Sequence, residues 1–401
     1  MLTVSPPQPT TQQRIERIDA LRGLALLGII LANIGSFTDY DALSLTQRQA
    51  LGSMALGETL TMLSSILIET KFLTIFSILF GVGFSMMLTN AQRRAAGGQA
   101  TGFRGYFLWR MTVLLLIGCA HAWLLWWGDI LRNYALVGML LVLTVNWPDQ
   151  WLLRAGVFCA VFLTGAVFIL NATFSLQQYP YDIAQLYQTF RTGTYADVVR
   201  ANRTIDPLRH VVQDAPITFA TVTGRVLLGV WLGRIGFFRG PNRFRRLTNR
   251  WLGWGFGLGV PASVAFWVLR HGHLDLDSPW LIWVPFAVAG GMLLHALAYI
   301  ALFVRLYERV RSRRWLRLFV PVGRMSLSNY LLQSLLGVVL FYGWPSGPQL
   351  MGRVNAVSGI GIALGIYALQ VVLSHEWLRR YEQGPVERLW RWLAPAQGSS
   401  S

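Results

Sequence analysis

Apolar residues dominate the chain in stretches of about twenty, and short polar or basic connections separate these stretches. An α-helix needs about that many residues to cross the hydrocarbon layer of a membrane. The pattern therefore predicts an all-α fold, a polytopic transmembrane helical bundle of about ten spans. The predicted spans cover residues 20–36, 71–90, 106–127, 130–145, 151–170, 216–238, 251–269, 280–303, 319–343 and 355–373.

These spans divide the chain into a leader, a bundle and a tail. Residues 1–19 are polar and lack the apolar core of a cleaved signal, so a cytoplasmic leader is expected there. The bundle is predicted at 20–375 and a basic cytoplasmic tail at 376–401. The polar segment 171–215 is expected outside the cytoplasm, as an ordered lid or as a mobile linker. An amphipathic helix on the outer surface is predicted at 45–69.

The composition excludes an ordinary soluble domain. Hydrophobic residues make up 54% of the chain and charged residues 13%, which is about half the charged share of a soluble domain. The net charge of +17 is concentrated in alternate connections, a bias typical of the cytoplasmic loops of membrane proteins. We therefore expect both termini in the cytoplasm, and anionic membrane lipids rather than nucleic acid as partners of the basic residues.

Polar side chains within the spans are the candidate functional residues, because each costs a few kcal/mol in hydrocarbon unless it is paired. Arg22 and Asn33 are eleven positions apart in the first span, so they share a helix face and lie roughly 16 Å apart. Arg110 and His121 repeat this spacing, and Asp129 follows where the chain turns back. A carboxylate beside a histidine fixes its tautomer and makes it a better base. The alternative is a histidine that only packs helices together.

The remaining intramembrane polar residues carry weaker signals. Arg225 needs an anionic or carbonyl partner, which protein, lipid or substrate can supply. Lys71 begins a span and is expected to extend its amine to the outer interface. His295 lies among small residues, which favours a packing role. His271 and His273 in a short loop are interpreted as solvated residues, so no metal site is predicted.

Five sequence blocks, taken in order, resemble the YeiB-like family of bacterial inner-membrane proteins, a domain of unknown function. The resemblance covers about residues 14–394, and it implies a multi-pass protein of the bacterial inner membrane. The blocks are "RIDALRGLALLGIILANIG", "KFLTIFSILFGVG", "HAWLLWWGDILRNYALVG", "GRMSLSNYLLQS" and "GPVERLWRWL".

That family is similar in turn to integral-membrane acyltransferases, including heparan-α-glucosaminide N-acetyltransferase. The resemblance implies transfer of an acyl group, above all acetyl, from cytoplasmic acyl-CoA to an acceptor across the membrane. Many O-acylating relatives carry an Arg, ten residues and a His in the first span. This chain has Arg22 and then Asn33 at that spacing, so His121 is expected to supply the missing base.

Roles follow from this resemblance as a hypothesis. His121, oriented by Asp129, would deprotonate a hydroxyl or amine of a glycan, lipid or small-molecule acceptor, and Asn33 would donate to the acyl carbonyl oxygen. Acyl-CoA is a co-substrate here, and no tightly bound cofactor is expected. Its phosphates are assigned to Arg22, Arg110 and Arg324. The residues assigned to substrate contact are Arg225, Asn329, Tyr330 and Lys71.

A transporter or exporter of a small anionic metabolite or lipid is the alternative, with Arg225 as its anion contact. Ion-coupled carriers place acidic residues near the middle of the membrane. Here every acidic residue is predicted at the end of a span or in a connection, which disfavours such coupling. A non-catalytic membrane partner is a third interpretation, and homo-oligomerisation is left open.

Overall fold

The computed structural model describes residues 11–97, 102–173, 181–206, 215–270, 282–344 and 347–395, and these ranges contain helices and no β-strand. His271 and His273 lie outside the described residues. The helices are α1 Thr11–Thr38, α2 Leu45–Ala50, α3 Met54–Leu67, α4 Lys71–Ala96, α5 Phe103–Leu124, α6 Leu131–Leu141, α7 Asp149–Val157, α8 Thr164–Thr173, α9 Ile183–Thr192, α10 Tyr195–Ile205, α11 Ala215–Arg234, α12 Arg245–Gly257, α13 Gly259–Arg270, α14 Val284–Glu308, α15 Val310–Leu316, α16 Val320–Arg324, α17 Ser326–Phe341, α18 Ala356–Arg380 and α19 Pro385–Leu393.

The predicted all-α bundle is confirmed. Within the described ranges, 8 helical segments are long and apolar enough to cross a membrane, and two shorter apolar helices, Leu131–Thr144 and Ser326–Phe341, accompany them. Each of these segments overlaps one predicted span. The chain is therefore a multi-pass membrane protein, and the cytoplasmic location of its termini stays a prediction.

The second span differs from its prediction. In place of one surface helix at 45–69, the chain forms α2 and α3, and α3 continues with α4 as one apolar segment, Met54–Ala96. A break at Ile68–Thr70 separates the two helices, and Thr70 has a φ of 66°. The helix α3 packs against α13 and α18 on one side, while Leu56, Leu63 and Leu67 stay exposed on the bundle surface.

Close contact between α4 and α11 forms the centre of the bundle. A Cβ atom on Gly81 would lie 2.0 Å from the carbonyl oxygen of Val226, and one on Gly229 would lie 2.0 Å from that of Ile78. Small residues allow membrane helices to approach until their backbones touch. This contact fixes α11, and hence Arg225, against the beginning of α4.

We expect Gly81→Ala to destabilise the protein by about 1–3 kcal/mol, the usual cost of overpacking, because the added methyl group has no space beside α11. Gly83, two positions along the same helix, has no atom within 4 Å of the place that a Cβ atom would take, so Gly83→Ala is the matched control. Thermal unfolding of the two purified variants measures the difference. Equal melting temperatures would show that the α4–α11 contact is looser than described.

The polar segment 171–215 is helical and packed in its described part, and its location outside the cytoplasm stays a prediction. The helix α10 packs against α5, and the Asn202 amide donates to the carbonyl oxygen of Trp123 at 3.4 Å. The backbone N–H of Gly343 donates to the carbonyl of Phe190 at the end of α9. Both helices are therefore fixed to the bundle beside the turn between α5 and α6.

Candidate functional site

His121 and Asp129 form a buried pair at the turn between α5 and α6. His121 Nδ1 lies 2.8 Å from Asp129 Oδ2, and the two residues are only 4% and 6% exposed. The other carboxylate oxygen, Oδ1, accepts from the backbone N–H of Arg132 at 2.9 Å and from its Nε at 3.2 Å. Because Asp129 acts as the acceptor in these contacts, Nδ1 is the histidine nitrogen that donates to it. The second nitrogen, Nε2, is then the one left to contact a substrate.

Arg132 extends this pair into a network that reaches the extracytoplasmic segment. Its guanidinium donates to both carboxylate oxygens of Asp206 at 2.7 and 2.9 Å, and Trp123 Nε1 donates to the same carboxylate at 2.8 Å. Asp206 directly follows α10. One arginine thus neutralises two buried carboxylates and holds α10 against the turn that carries Asp129.

Tyr330 on α17 supports the same turn. Its hydroxyl donates to the carbonyl of Gly128 at 3.2 Å and accepts from the backbone N–H of Ile130 at 3.4 Å. Its ring centroid lies 5.3 Å from that of His121. These hydrogen bonds hold Gly128 and Ile130, the residues before and after Asp129, so Tyr330 helps to position Asp129. Its assignment to substrate stays a prediction.

A groove of about 980 Å³ lies beside His121, between α5, α17, α18 and α19. We call it the lateral groove. Three of its lining leucines, Leu335, Leu373 and Leu389, are exposed on the bundle surface, so the groove opens sideways, towards the position of lipid. Its polar lining consists of His121, Ser328, Asn329, Ser374, Glu376 and Arg380.

His121 forms part of this wall, and its second ring nitrogen is buried. Nε2 has no hydrogen-bond partner among the described residues. Asn329 also lines the groove, and its amide nitrogen donates to the Val322 carbonyl at 3.2 Å and to Ser374 Oγ at 2.9 Å. Both amide hydrogens are therefore engaged, and the side-chain carbonyl oxygen is the atom that Asn329 offers to a ligand.

The structure does not bring Asn33 into this site. Asn33 is half-buried on α1, makes no hydrogen bond to any residue within the described ranges, and is absent from the groove lining. Phe37, one turn further along α1, stacks on Trp126 with centroids 4.7 Å apart, and Trp126 faces the His121 ring edge-on. Aromatic rings thus fill the contact between α1 and the histidine, and the role of Asn33 as an oxyanion donor stays a prediction.

Two of the three predicted phosphate-binding arginines lie near one end of the groove. Arg22 pairs with Asp19 at 3.1 Å, and Arg324 is within electrostatic range of the same carboxylate. Arg324 also donates to the carbonyl of Glu382 at 2.9 Å, directly after the lining residue Tyr381.

Sequence reasoning missed Arg380, the arginine that lines the groove itself. Its signal was the basic run "HEWLRRYEQGP", which was interpreted only as part of the basic cytoplasmic tail.

Arg110 is covered by the amphipathic helix α19. Its guanidinium lies 4.0 Å from the centroid of the Trp390 ring, and the indole N–H of Trp390 donates to the Arg110 carbonyl at 3.0 Å. The Arg110 guanidinium donates to the Tyr106 hydroxyl at 3.3 Å. Arg110 thus holds α19 against α5. It lies on a different helix from Arg22, Arg324 and Arg380, the arginines assigned to the groove end. Its assignment to acyl-CoA stays a prediction that these contacts do not support.

Lys71 does not extend to the outer interface, and that expectation was wrong. The residue is 0% exposed, and its amine donates to the Ser65 carbonyl at 3.0 Å, because α3 continues the span above it. Arg225 makes no hydrogen bond or ion pair within the described ranges and lies in electrostatic range of Lys71. His295 is buried, with Nδ1 3.0 Å from Ser263 Oγ on α13, a contact that joins two helices as its predicted packing role requires.

Comparisons with known proteins place these observations in a family. The family model described as "Protein of unknown function (DUF418)" matches residues 232–397. The chain is 31% identical to the uncharacterized protein YxaH of Bacillus subtilis, over 96% of this chain and 95% of that protein. It is 28% identical to the uncharacterized protein YeiB of Escherichia coli, over 95% and 96% of the two chains. An uncharacterized 39.9 kDa protein in the amylase 3′ region of Bacillus acidopullulyticus is 26% identical over 95% and 94%.

Proposed function

The chain belongs to the DUF418 family of multi-pass membrane proteins, and from that starting point we propose that it is a membrane-embedded acyltransferase of the bacterial inner membrane. It takes an acyl group from cytoplasmic acyl-CoA and delivers it to a hydroxyl or amine on an extracytoplasmic or lipid-linked acceptor. The observation that carries the proposal is the free Nε2 of His121 in the wall of the lateral groove. Its other nitrogen is fixed by Asp129.

The chemistry assigns one proton to His121. Nε2 removes the proton from the acceptor hydroxyl or amine as the acceptor attacks the thioester carbonyl. The tetrahedral intermediate then collapses, the carbon–sulfur bond breaks, and the imidazolium returns the proton to the departing CoA thiolate. Asp129, which Arg132 holds in place, stabilises the positive charge that develops on His121.

The lateral groove suits the apolar part of such a reaction. Its exposed leucines offer a lipid-like surface to an acyl chain or a lipid-linked acceptor that enters sideways from the bilayer. The Asn329 carbonyl oxygen accepts a hydrogen bond from an amide or hydroxyl of the bound substrate.

The basic end of the groove suits the donor. Arg380 lines the groove, and Arg324 and Arg22 lie beside it. Guanidinium groups bind phosphate oxygens through several parallel hydrogen bonds. The charged nucleotide of acyl-CoA therefore stays at the basic end, and the uncharged arm that carries the acyl thioester extends along the groove to His121.

Transfer itself is measured in membranes that contain the protein together with its natural acceptor. Radiolabelled acetyl-CoA and palmitoyl-CoA are added on the cytoplasmic side, and label that becomes bound to lipid or glycan is counted. We expect incorporation above that of membranes without the protein. The proposal would be contradicted if, for both donors, membranes with and without the protein incorporated equal amounts of label.

Arg380→Ser is expected to weaken acyl-CoA binding about threefold to tenfold, because a solvent-accessible charge-assisted contact with phosphate contributes on the order of 1 kcal/mol. Arg379→Ser is the matched control, since Arg379 is the preceding residue, is exposed, and pairs with Glu376 rather than lining the groove. Equilibrium binding of palmitoyl-CoA to the purified variants gives the two dissociation constants. Identical constants for wild type and both variants would remove Arg380 from the donor site.

A further inference from the structure

A second group of polar side chains lies on the other side of the bundle, where α4, α11 and α14 meet. We call it the cation cluster, and it consists of Lys71, Arg225, His295 and Thr70. Lys71 lies within electrostatic range of Arg225 and of His295, and Thr70 directly precedes it in the chain. None of the four residues lines the lateral groove, so the cluster is distinct from the site of the proposed acyl transfer and does not depend on it.

The positive charge of Lys71 is not neutralised by a carboxylate. Its amine donates only to the Ser65 carbonyl. The nearest acidic group, Glu69, is paired with Arg270, and its second carboxylate oxygen accepts from Ser65 Oγ at 2.8 Å. One arginine therefore already balances the one nearby acid, and Lys71 is left as a buried cation held by a single carbonyl.

Arg225 is even less satisfied. It lies near the middle of α11, beside the close contact with α4, and makes no hydrogen bond or ion pair within the described ranges. Tyr134 is within electrostatic range, but its hydroxyl already meets Ser77 Oγ at 3.0 Å. Arg225 is nevertheless only half-buried.

The charges and donors of the cluster define the missing partner. Three cationic side chains and one acidic side chain lie in or beside the cluster: Lys71, Arg225, Arg270 and Glu69. They leave two positive charges in a span, which is costly without an anion. His295 Nε2 and Thr70 Oγ1 are both buried and have no partner among the described residues. Two cations and two neutral hydrogen-bonding groups match a doubly charged phosphate, which carries three acceptor oxygens.

We propose that Lys71 and Arg225 bind the phosphate group of a ligand within the bundle, with His295 and Thr70 as its neutral hydrogen-bond partners. A phosphomonoester lipid such as phosphatidic acid and free inorganic phosphate share this chemistry. The ligand neutralises the cluster and holds α4, α11 and α14 together around it.

The test uses the full-length protein, purified in nanodiscs of phosphatidylcholine. Its thermal unfolding is followed alone, with added inorganic phosphate, and with phosphatidic acid in the disc, because a ligand of the folded state raises the melting temperature. Native mass spectrometry of the same preparations detects a phosphate-containing adduct that survives purification. The variants are Arg225→Gln and Lys71→Met, and the control is Arg94→Gln, an exposed arginine near the end of the same helix α4.

A phosphate-dependent rise in melting temperature, or a co-purified adduct, is expected in wild type and in Arg94→Gln. Both charge variants should weaken phosphate binding at least tenfold, and Arg225→Gln should unfold at a higher temperature than ligand-free wild type, because it removes an unpaired intramembrane charge. A response to phosphatidic acid alone assigns a lipid, and a response to inorganic phosphate alone assigns a soluble anion. Absence of both adduct and shift in wild type, or a shift that persists in both charge variants, overturns the proposal.

Discussion

Replacement of His121 by alanine is expected to lower acyl transfer by about 10²–10⁴-fold, the usual contribution of a positioned general base. Asp129 holds the imidazole in a fixed orientation, and its Nε2 has no hydrogen-bond partner among the residues that the structure describes. Without it, the acceptor hydroxyl has no base at the acyl carbon. The substitution removes a ring that touches Tyr330 and Trp126, so some loss of stability accompanies the loss of activity.

The measurement compares label incorporation in membranes that contain equal amounts of folded wild type and variant. His375→Ala is the matched control, because His375 lies on α18, binds only the Val371 carbonyl at 2.8 Å and does not line the groove. It should transfer acyl groups at nearly the wild-type rate. Turnover by His121→Ala within threefold of wild type would exclude His121 as the base.

The pairing of His121 with Asp129 could be predicted because the two residues flank a single turn between apolar helices. Eight positions of sequence allow few arrangements, and the cost of a buried carboxylate favours one in which the histidine faces it. Asp206 could not be predicted in the same way. It pairs with Arg132 across 74 positions, and this contact depends on how the extracytoplasmic segment folds back onto α5.

Lys71 and Arg110 show a second limit of the sequence. Each lies at the end of an apolar stretch, a position from which long side chains ordinarily reach water. Lys71 is covered because α3 extends the span, and Arg110 is covered because the tail returns as α19. Hydropathy reports the polarity of a segment but not which other segment lies over it, so the burial of these two residues required the tertiary structure.

The residues of the two candidate sites lie partly inside and partly outside the region that the family model matches. The family model covers α17, α18 and α19, which form most of the lateral groove. His121, Asp129 and Lys71 lie before that match, in the part of the chain that only the whole-length relatives cover. Most of the groove therefore lies in the region that the family model describes. Whether the relatives also carry the His121–Asp129 pair is a separate question that their sequences can answer.

Replacement of Arg132 by methionine is expected to destabilise the protein by about 3–5 kcal/mol, the cost of breaking a buried ion pair from one side. The guanidinium binds Asp129 and Asp206 together, so its loss removes the arginine charge from both buried carboxylates at once. The helix α10 should then separate from the turn that carries Asp129. Methionine preserves most of the side-chain volume, which isolates the effect of the charge.

Thermal unfolding of the purified variant measures this loss of stability. Arg200→Met is the control, because Arg200 pairs with Asp197 on the surface of α10. Surface pairs contribute about 0–1 kcal/mol. Addition of Asp206→Asn to Arg132→Met should recover part of the stability, since it removes one of the two carboxylates that have lost the arginine. A small effect of Arg132→Met, equal to that of Arg200→Met, would mean that water reaches both carboxylates. In that case the low-dielectric environment required for the His121 dyad would not exist.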